Sequence, residues 1–153
     1  MENLIIIKHA PGAPGLRFFG LGPYFIPQQG LFKLIRLFNE NASWAQKRSV
    51  CNTKTMLSKS KVIVSIWNHH NLIGFGRATS DETFRAVLWD IIVDKKYQNN
   101  GIGEKIVSSI LRHPSIINVE KIYAMTTDCQ NFYLKLSFSK EHKQSLMKLI
   151  KIV

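Results

Sequence analysis

The chain has 153 residues and a hydrophobic fraction of 45%, which fits one domain that buries most of its apolar surface and argues against wholesale disorder. Its formal net charge of +11 favours anionic partners in general, such as charged small molecules, nucleic acid or acidic surfaces. No apolar stretch approaches the length of a membrane span, and no basic stripe interleaved with stacking aromatics indicates a nucleic-acid surface.

The first 28 residues contain an apolar run at 4–7 and the start of a segment punctuated by proline and glycine. Such punctuation prevents any long element. We therefore expect residues 1–28 to form a loosely structured N-terminal extension, with a candidate edge strand at 24–26, before a single domain at 29–153.

Two helices are predicted next. Apolar residues at helical spacing between 31 and 38 indicate a helix that ends near Asn39 or Asn41. Ser43 is a candidate N-cap for a second helix that runs toward residue 56.

Three strands are predicted to follow as an antiparallel meander. Residues 62–67 and 72–77 are rich in β-formers and flank a polar turn, and residues 84–93 form a longer run after a second turn. Adjacent His69 and His70 in the first turn would point to opposite sides of an extended chain, so a solvated turn is favoured over a metal site. The two cysteines, Cys51 and Cys129, lack a nearby ligand cluster, so we expect no metal and a reducing compartment.

The most informative stretch joins the strand at 84–93 to an apolar helix that begins at Ile102 and ends before Pro114. The junction reads Gln-Asn-Asn-Gly-Ile-Gly at 98–103. The first four N–H groups of a helix have no internal partner, and the helix dipole adds partial positive charge there. The junction is therefore predicted to bind an anion, best a phosphate, although glycines after a strand often serve only to turn the chain.

The remaining elements are a strand at 119–125, a short helix at 130–136 and a last strand at 145–153. A strand, a helix and a strand at this spacing imply a right-handed parallel crossover. The predicted fold class is α+β: a mixed, mostly antiparallel sheet with a parallel β-α-β crossover and helices on both faces.

Two landmarks resemble one family. The segment from Tyr97 through Gln-x-x-Gly-x-Gly into an apolar helix is similar to the acyl-CoA-binding segment of the GNAT N-acetyltransferases. Residues 132–138, Phe-Tyr-Leu-Lys-Leu-Ser-Phe, stand where that family carries F-Y-x-K-x-G-F. Residues 72–90 look closest to a subgroup encoded in red-algal plastid genomes, with cyanobacterial and chloroplast relatives. The resemblance implies the plastid (chloroplast) stroma for an algal protein and the cytoplasm for a cyanobacterial one.

The resemblance implies acetyl-CoA as co-substrate and a primary amine as acceptor, either an arylalkylamine or a protein lysine or N-terminus. If the strand at 84–93 parts from the strand at 119–125, the amides of pantetheine could add to the exposed backbone of Ile91, Ile92 and Val93 as another strand would. The pyrophosphate would then lie on backbone N–H groups of the glycine turn, those of Gln98, Asn99, Asn100, Gly101, Ile102, Gly103 and Glu104.

The resemblance also implies catalytic roles. Tyr133 matches the family tyrosine that acts as general acid toward the CoA sulfur, and an ordinary pKa near ~10 would keep it protonated; alternatively its ring only packs on the short helix. Asp90 is the candidate base, unless it pairs with Arg77 or Arg85. Further candidates for the base are a chain of water molecules and the side chains of Asp81, Glu82 and His113.

One departure from the family pattern is Ser137, which replaces the usual glycine. Two other classes of function stay open on the sequence: a catalytically silent acyl-CoA-binding regulatory module, and a basic nucleic-acid-binding protein.

Overall fold

A computed structural model describes residues 4–9 and 27–151; the candidate strand at 24–26 lies outside these residues. One five-stranded sheet has the order β1-β2-β3-β4-β5, with β1 at Leu4–His9, β2 at Val62–Asn68, β3 at Asn71–Ser80, β4 at Arg85–Val93 and β5 at Lys121–Ala124. The helices are α1 at Pro27–Asn41, α2 at Val50–Ser58, α3 at Ile102–Leu111 and α4 at Gln130–Lys135. None of these helices is both long and apolar enough to cross a membrane.

The strand pairing confirms the predicted fold class. β1, β2, β3 and β4 pair antiparallel in sequence order. β4 and β5 pair in parallel, and α3 connects them. Parallel neighbours need a crossover connection, and the helix supplies it.

Both faces of the sheet are covered by helices. On β2, Ile63 and Trp67 join the core cluster that contains α1, whereas Val64 and Ile66 join the cluster that contains α3. Successive side chains of a strand point to opposite faces. A central strand between two helical layers is therefore apolar at nearly every position, which explains the continuous run at 62–67.

Two glycines of β3 let α3 approach the sheet closely. A Cβ atom at Gly76 would lie 2.4 Å from Cγ2 of Ile106, and one at Gly74 would lie 3.0 Å from Cγ2 of Ile102. Any side chain at Gly76 would therefore push the helix away. This close packing fixes the first turn of α3 beside the end of β4.

The sequence-based expectations were wrong at three places. Residues Leu4–His9, expected in a loose extension, pair with β2 along their whole length; the domain boundary at residue 28 itself stays a prediction. The second helix is capped by Ser49, whose Oγ accepts a hydrogen bond from the backbone N–H of Asn52, whereas Ser43 begins a short 3₁₀ turn. A local pattern cannot decide which of several polar residues caps a helix. It also cannot decide which apolar run pairs with a distant strand.

The predicted last strand is the third error. Residues 145–151 form no strand, and their large apolar side chains, Leu146, Met147, Leu149 and Ile150, are 73–86% exposed. β-propensity reflects packing on a pleated, half-buried surface. This tail has composition suited to a strand but no neighbouring strand in the part of the chain that the structure describes.

His9 ties β1 to the interior. Its imidazole is buried, and its Nε2 lies 2.8 Å from Oγ of Ser65, which also accepts a hydrogen bond from Nε1 of Trp67 at 2.9 Å. Burial disfavours the charged imidazolium and lowers the pKa of His9 from 6.5 to about 4.

This pKa predicts an acid-dependent loss of stability. Because the unfolded chain binds a proton near pH 6.5 and the folded chain only near pH 4, the stabilising contribution is complete above pH 6.5 and is lost as the pH falls toward 4. We expect a loss of roughly 3 kcal/mol, measured by urea unfolding across this range. His9→Gln should abolish this part of the pH dependence, and exposed His142→Gln should retain it. Equal pH dependence in both variants would contradict the assignment.

Candidate active site

β4 is longer than β5, its parallel neighbour, and extends beyond its end. The β4–β5 pairing extends from Arg85↔Lys121 to Leu88↔Ala124, where β5 ends. β4 continues to Val93, so its residues 89–93 have no partner from β5. β5 pairs with β4 along its whole length and then ends, so the structure shows a shorter β5 rather than two strands that part. The backbone of Ile91, Ile92 and Val93 runs past the end of β5, and we call this unpaired side of residues 89–93 the open edge.

A β-bulge precedes this open edge. On β3 a single residue, Gly76, separates Phe75 from Arg77, whereas two residues separate their β4 partners Ile92 and Trp89. The extra residue makes β4 bend and twist more strongly. At the bulge Asp90 has φ 53°, a left-handed conformation that costs a non-glycine residue on the order of 1 kcal/mol.

Several carbonyl groups and side chains of the turn after β4 form hydrogen bonds within the turn. The Asp94 carboxylate accepts from the backbone N–H of Lys96 at 2.9 Å. Gln98 Nε2 donates to the carbonyl of Val93 at 3.1 Å, and Asn100 Nδ2 donates to the carbonyl of Gln98 at 2.9 Å. These bonds help to fix the shape of the turn.

The donors of the same turn are free. None of the backbone N–H groups of residues 98–104 donates to a residue that the structure describes, and the first such bond of α3 is from Lys105 to the carbonyl of Gly101. Gly101 has φ +72°, and a Cβ atom placed on it would meet nothing within 4 Å. Amides without a described partner, at a helix N-terminus with open space at Gly101, suit an anion, so the residues present fit a diphosphate.

α4 lies against this turn through Phe132, and Tyr133 is the next residue. The Tyr133 ring stands edge-on to Phe132 and Phe138, with centroid distances of 5.0 and 5.4 Å, and the Phe132 ring lies 3.2 Å from the Cβ position of Gly103. No described residue forms a hydrogen bond with the Tyr133 hydroxyl. Burial raises the pKa of Tyr133 to about 12, well above the ordinary value we expected.

The backbone conformation at Ser137 explains why the family pattern has glycine at this position. Ser137 has φ 67°, and it follows α4 at the place where a helix commonly ends on a left-handed residue. The N–H of Phe138 bonds to the carbonyl of Tyr133 at 3.1 Å. Serine thus keeps the helix-ending conformation despite its Cβ atom.

The candidate base Asp90 is held by two arginines. Its Oδ2 accepts from Nε of Arg77 at 2.6 Å, and its Oδ1 accepts from Nη2 of Arg48 at 3.0 Å. Arg85, the other proposed partner, instead lies 3.6 Å from Glu120. The pairing with Arg77 was among the alternatives, but Arg48 was missed, because a contact between residues 42 positions apart leaves no local pattern.

The other candidate bases lie elsewhere. The Asp81 carboxylate accepts from the backbone N–H groups of Arg85, Thr83 and Phe84, which lowers its pKa. Glu82 and His113 are at the same end of the sheet, and Glu82 forms an ion pair with Lys61. Four residues of strand, roughly 13 Å, separate Arg85 from Trp89 where the open edge begins, and eight residues, roughly 27 Å, separate Arg85 from Val93. None of these groups therefore lies beside Ile91, Ile92 or Val93.

The sheet order, the parallel β4–β5 pair and the helical layers define a class of protein: an α+β fold with a strand edge that stays unpaired beside a glycine turn. Solved structures share this fold over nearly the whole chain. A probable acetyltransferase from Staphylococcus aureus is 17% identical, with a TM-score of 0.72 over 98% of this chain and 100% of that one. A putative acetyltransferase from Xanthomonas campestris is 17% identical, with a TM-score of 0.71 over 99% and 95%.

Residues 31–138 match the model of the acetyltransferase (GNAT) family, and the chain belongs to that family. An uncharacterized N-acetyltransferase ycf52 from Pyropia yezoensis is 29% identical over 67% of this chain and 61% of its own length. A ycf52-like protein from Prochlorococcus marinus is 31% identical over 54% and 48%. The chloroplastic GCN5-related N-acetyltransferase 2 of Arabidopsis thaliana is 38% identical over 46% and 28%. The chain thus spans about three fifths of the Pyropia relative, and the resemblance to this subgroup is confirmed.

The environment of Tyr133 predicts a loss of stability in alkali. A phenol whose pKa is 10.0 in the unfolded chain and about 12 in the fold stabilises fully below pH 10, and the contribution is lost as the pH rises toward 12. The expected loss is roughly 2 kcal/mol, measured by urea unfolding. Tyr133→Phe should lack this component, whereas the matched Tyr123→Phe should retain it. If the free energy of unfolding of Tyr133→Phe changed with pH as that of the unmodified protein does, the raised pKa of Tyr133 would be refuted.

Proposed function

We propose that this protein is an acetyl-CoA-dependent N-acetyltransferase that acts on a primary amine by direct attack on the thioester. The observation that carries the proposal is the row of free N–H groups at residues 98–104 beside the open edge of β4. When bound, acetyl-CoA supplies an activated acetyl group at the end of an amide-bearing arm that starts from a diphosphate.

Main-chain groups of this chain suit such a ligand. The free amides of the turn would hold the diphosphate, helped by the dipole of α3. The edge at Ile91, Ile92 and Val93 would bond the amides of the arm as a neighbouring strand would. Lys95 and Lys96 beside the turn add positive charge without fixing an orientation.

The chemistry requires a polarised carbonyl and a way to stabilise the departing sulfur. We assign the first role to the backbone N–H near Val93 and the second to Tyr133. An ordinary thiol has a pKa near about 8.5, so a phenol with a pKa of about 12 would not give up its proton fully to a thiolate. Tyr133 is therefore best suited to donate a hydrogen bond to the sulfur while the C–S bond breaks.

Protons must balance between the acceptor amine and the sulfur of CoA. A C–N bond forms, the C–S bond breaks, and the attacking nitrogen loses one proton while the sulfur gains one. The nitrogen releases its proton to solvent and the sulfur takes one from solvent, while Tyr133 keeps its own proton and donates a hydrogen bond throughout. Its high pKa keeps it in the donor form as the pH rises past 10.

The origins of the relatives also support a proposal about where in the cell the protein acts. They include ycf52 proteins of Pyropia yezoensis and Porphyra purpurea, a cyanobacterial ycf52-like protein and a chloroplastic protein of Arabidopsis thaliana. We propose a plastid or cyanobacterial origin, with function in the plastid stroma or the cyanobacterial cytoplasm.

Gly101→Asn tests the turn. Asparagine tolerates the left-handed conformation better than other side chains, so the fold should persist, but its side chain would occupy the open space in front of the amides. We expect acetyl-CoA affinity to fall by about tenfold or more, about 1.4 kcal/mol, measured by calorimetry. Glu82→Asn, a matched substitution at another left-handed residue (φ 66°) far from the turn, should bind normally. Equal affinity in both variants would refute the site.

Tyr133→Phe tests the chemistry. Removing the donor to the sulfur should lower kcat by about 10²-fold, while acetyl-CoA affinity stays nearly unchanged because the phenyl ring still packs. Turnover is followed as CoA release against arylalkylamines, lysine peptides and aminoglycosides, with Tyr123→Phe as control. Unchanged turnover would remove Tyr133 from the mechanism, and acetyl-CoA binding without turnover on any amine would favour the silent acyl-CoA-binding module.

A further inference from the structure

We propose that Asp90 is a positioning residue rather than the base: its ion pairs with Arg48 and Arg77 lock the β4 bulge to the loop before α2, and thereby hold the open edge of β4 in place. The kinetic consequences of this proposal rest on the proposed acetyltransferase function. Its structural consequences do not.

The Asp90 carboxylate is enclosed. Its side chain is 4% exposed, and the guanidinium-bearing side chains of Arg77 and Arg48 are 13% and 28% exposed. Charge-assisted hydrogen bonds engage both oxygens. A substrate amine could reach this carboxylate only if Arg48 moved away, which a direct base should not require.

The two arginines come from different parts of the fold, and each is itself held. Arg77, on β3, lies 5.6 Å from the Trp89 ring, and its Nη1 donates to Oγ of Ser60 at 3.4 Å. A small rotation of its guanidinium would break these contacts together. Arg77 therefore fixes Asp90 against β3 from the inner side.

Arg48 holds the carboxylate from the other side, where α1 and the loop before α2 lie. It stands in the loop between the 3₁₀ turn at Ser43–Ala45 and α2, and its guanidinium lies 4.8 Å from the Phe38 ring and 5.6 Å from the Trp44 ring. Its Nη1 also contacts Sδ of Met56 at 3.5 Å. Through Asp90 this loop and α1 are bonded to the bulge.

The ion pairs of Asp90 with Arg48 and Arg77 affect the open edge because Asp90 lies near the start of that edge in the chain. Asp90 is the left-handed residue of the bulge, and Ile91 is the next residue, so the orientation of Asp90 sets the direction in which the open edge leaves. Removing the carboxylate would also leave two partly buried guanidiniums without their counter-charge, and they would repel each other. Loss of any member should therefore loosen the edge.

The first experiment measures hydrogen exchange in the full chain without cofactor, for Asp90→Asn, Arg48→Met and the double variant. We expect each single variant to speed exchange in residues 89–93 by about tenfold or more, while residues 85–88, paired on both sides, change little. The matched control is Arg85→Met, which removes an arginine of β4 that contacts only exposed groups. Unchanged exchange in residues 89–93 would overturn the proposal whether or not the protein is an acetyltransferase.

The second experiment separates positioning from direct base catalysis by a double-mutant cycle on kcat. Positioning predicts that Arg48→Met and Asp90→Asn each lower kcat by about 10–100-fold and raise the KM for acetyl-CoA, because the loosened edge is the one that would bond its arm. The double variant should be no worse than either single variant. A purely structural role would lower the melting temperature and leave kcat of the folded protein intact, which would overturn the proposal.

Two more outcomes decide the question. If Asp90→Asn lowers kcat far more than Arg48→Met and the double variant shows the product of both losses, Asp90 acts in the chemistry and the proposal is wrong. Arg48→Lys, which keeps a cation opposite Oδ1, should restore much of the activity lost in Arg48→Met. If Arg48→Met does not fold, exchange in Asp90→Asn decides the question: faster exchange in residues 89–93 supports the proposal, and unchanged exchange overturns it. Absence of acetyl transfer in the unmodified protein would remove the proposed function alone.

Discussion

The β-bulge of β4 is the constraint on which the rest of the molecule depends. In a fully paired sheet both edges of β4 would be consumed by its neighbours, and no backbone group would remain for a ligand. One extra residue opposite Gly76, together with the end of β5 at Ala124, leaves residues 89–93 with one free edge. The left-handed conformation of Asp90 is the local cost of that opening, and the surrounding ion pairs offset it.

Close packing turns this opening into a site. The glycines of β3 allow α3 to lie directly on the sheet, so the first turn of α3 stands where β4 ends. The net charge of +11 attracts anions from any direction, but it cannot orient them. The free amides of residues 98–104 can, because each points along a direction fixed by the turn. Long-range attraction and short-range orientation thus come from different parts of the chain.

Burial disfavours the charged form of both candidate catalytic residues, but their neighbours differ. The Tyr133 phenol lies among aromatic rings, and burial favours its neutral form and raises its pKa to about 12. The Asp90 carboxylate is buried more deeply, yet two guanidiniums compensate its charge. An isolated polar group in the interior is thus suited to hold a proton for a reaction, and a fully paired one is suited to hold structure.

The sequence by itself determined the elements whose signal is local: the apolar periodicity of α1 and α3, the β-rich runs of β2 to β4, and the glycine turn with its free amides. The turns between those runs predicted the antiparallel meander, and the strand–helix–strand spacing predicted the parallel crossover. Only the tertiary structure decided that Leu4–His9 pair with β2, that the tail at 145–151 finds no partner, and that Arg48 meets Asp90 across 42 residues. The reason is physical: periodicity and turn chemistry act over a few residues, whereas strand pairing and buried ion pairs depend on which distant surfaces the folded chain brings together.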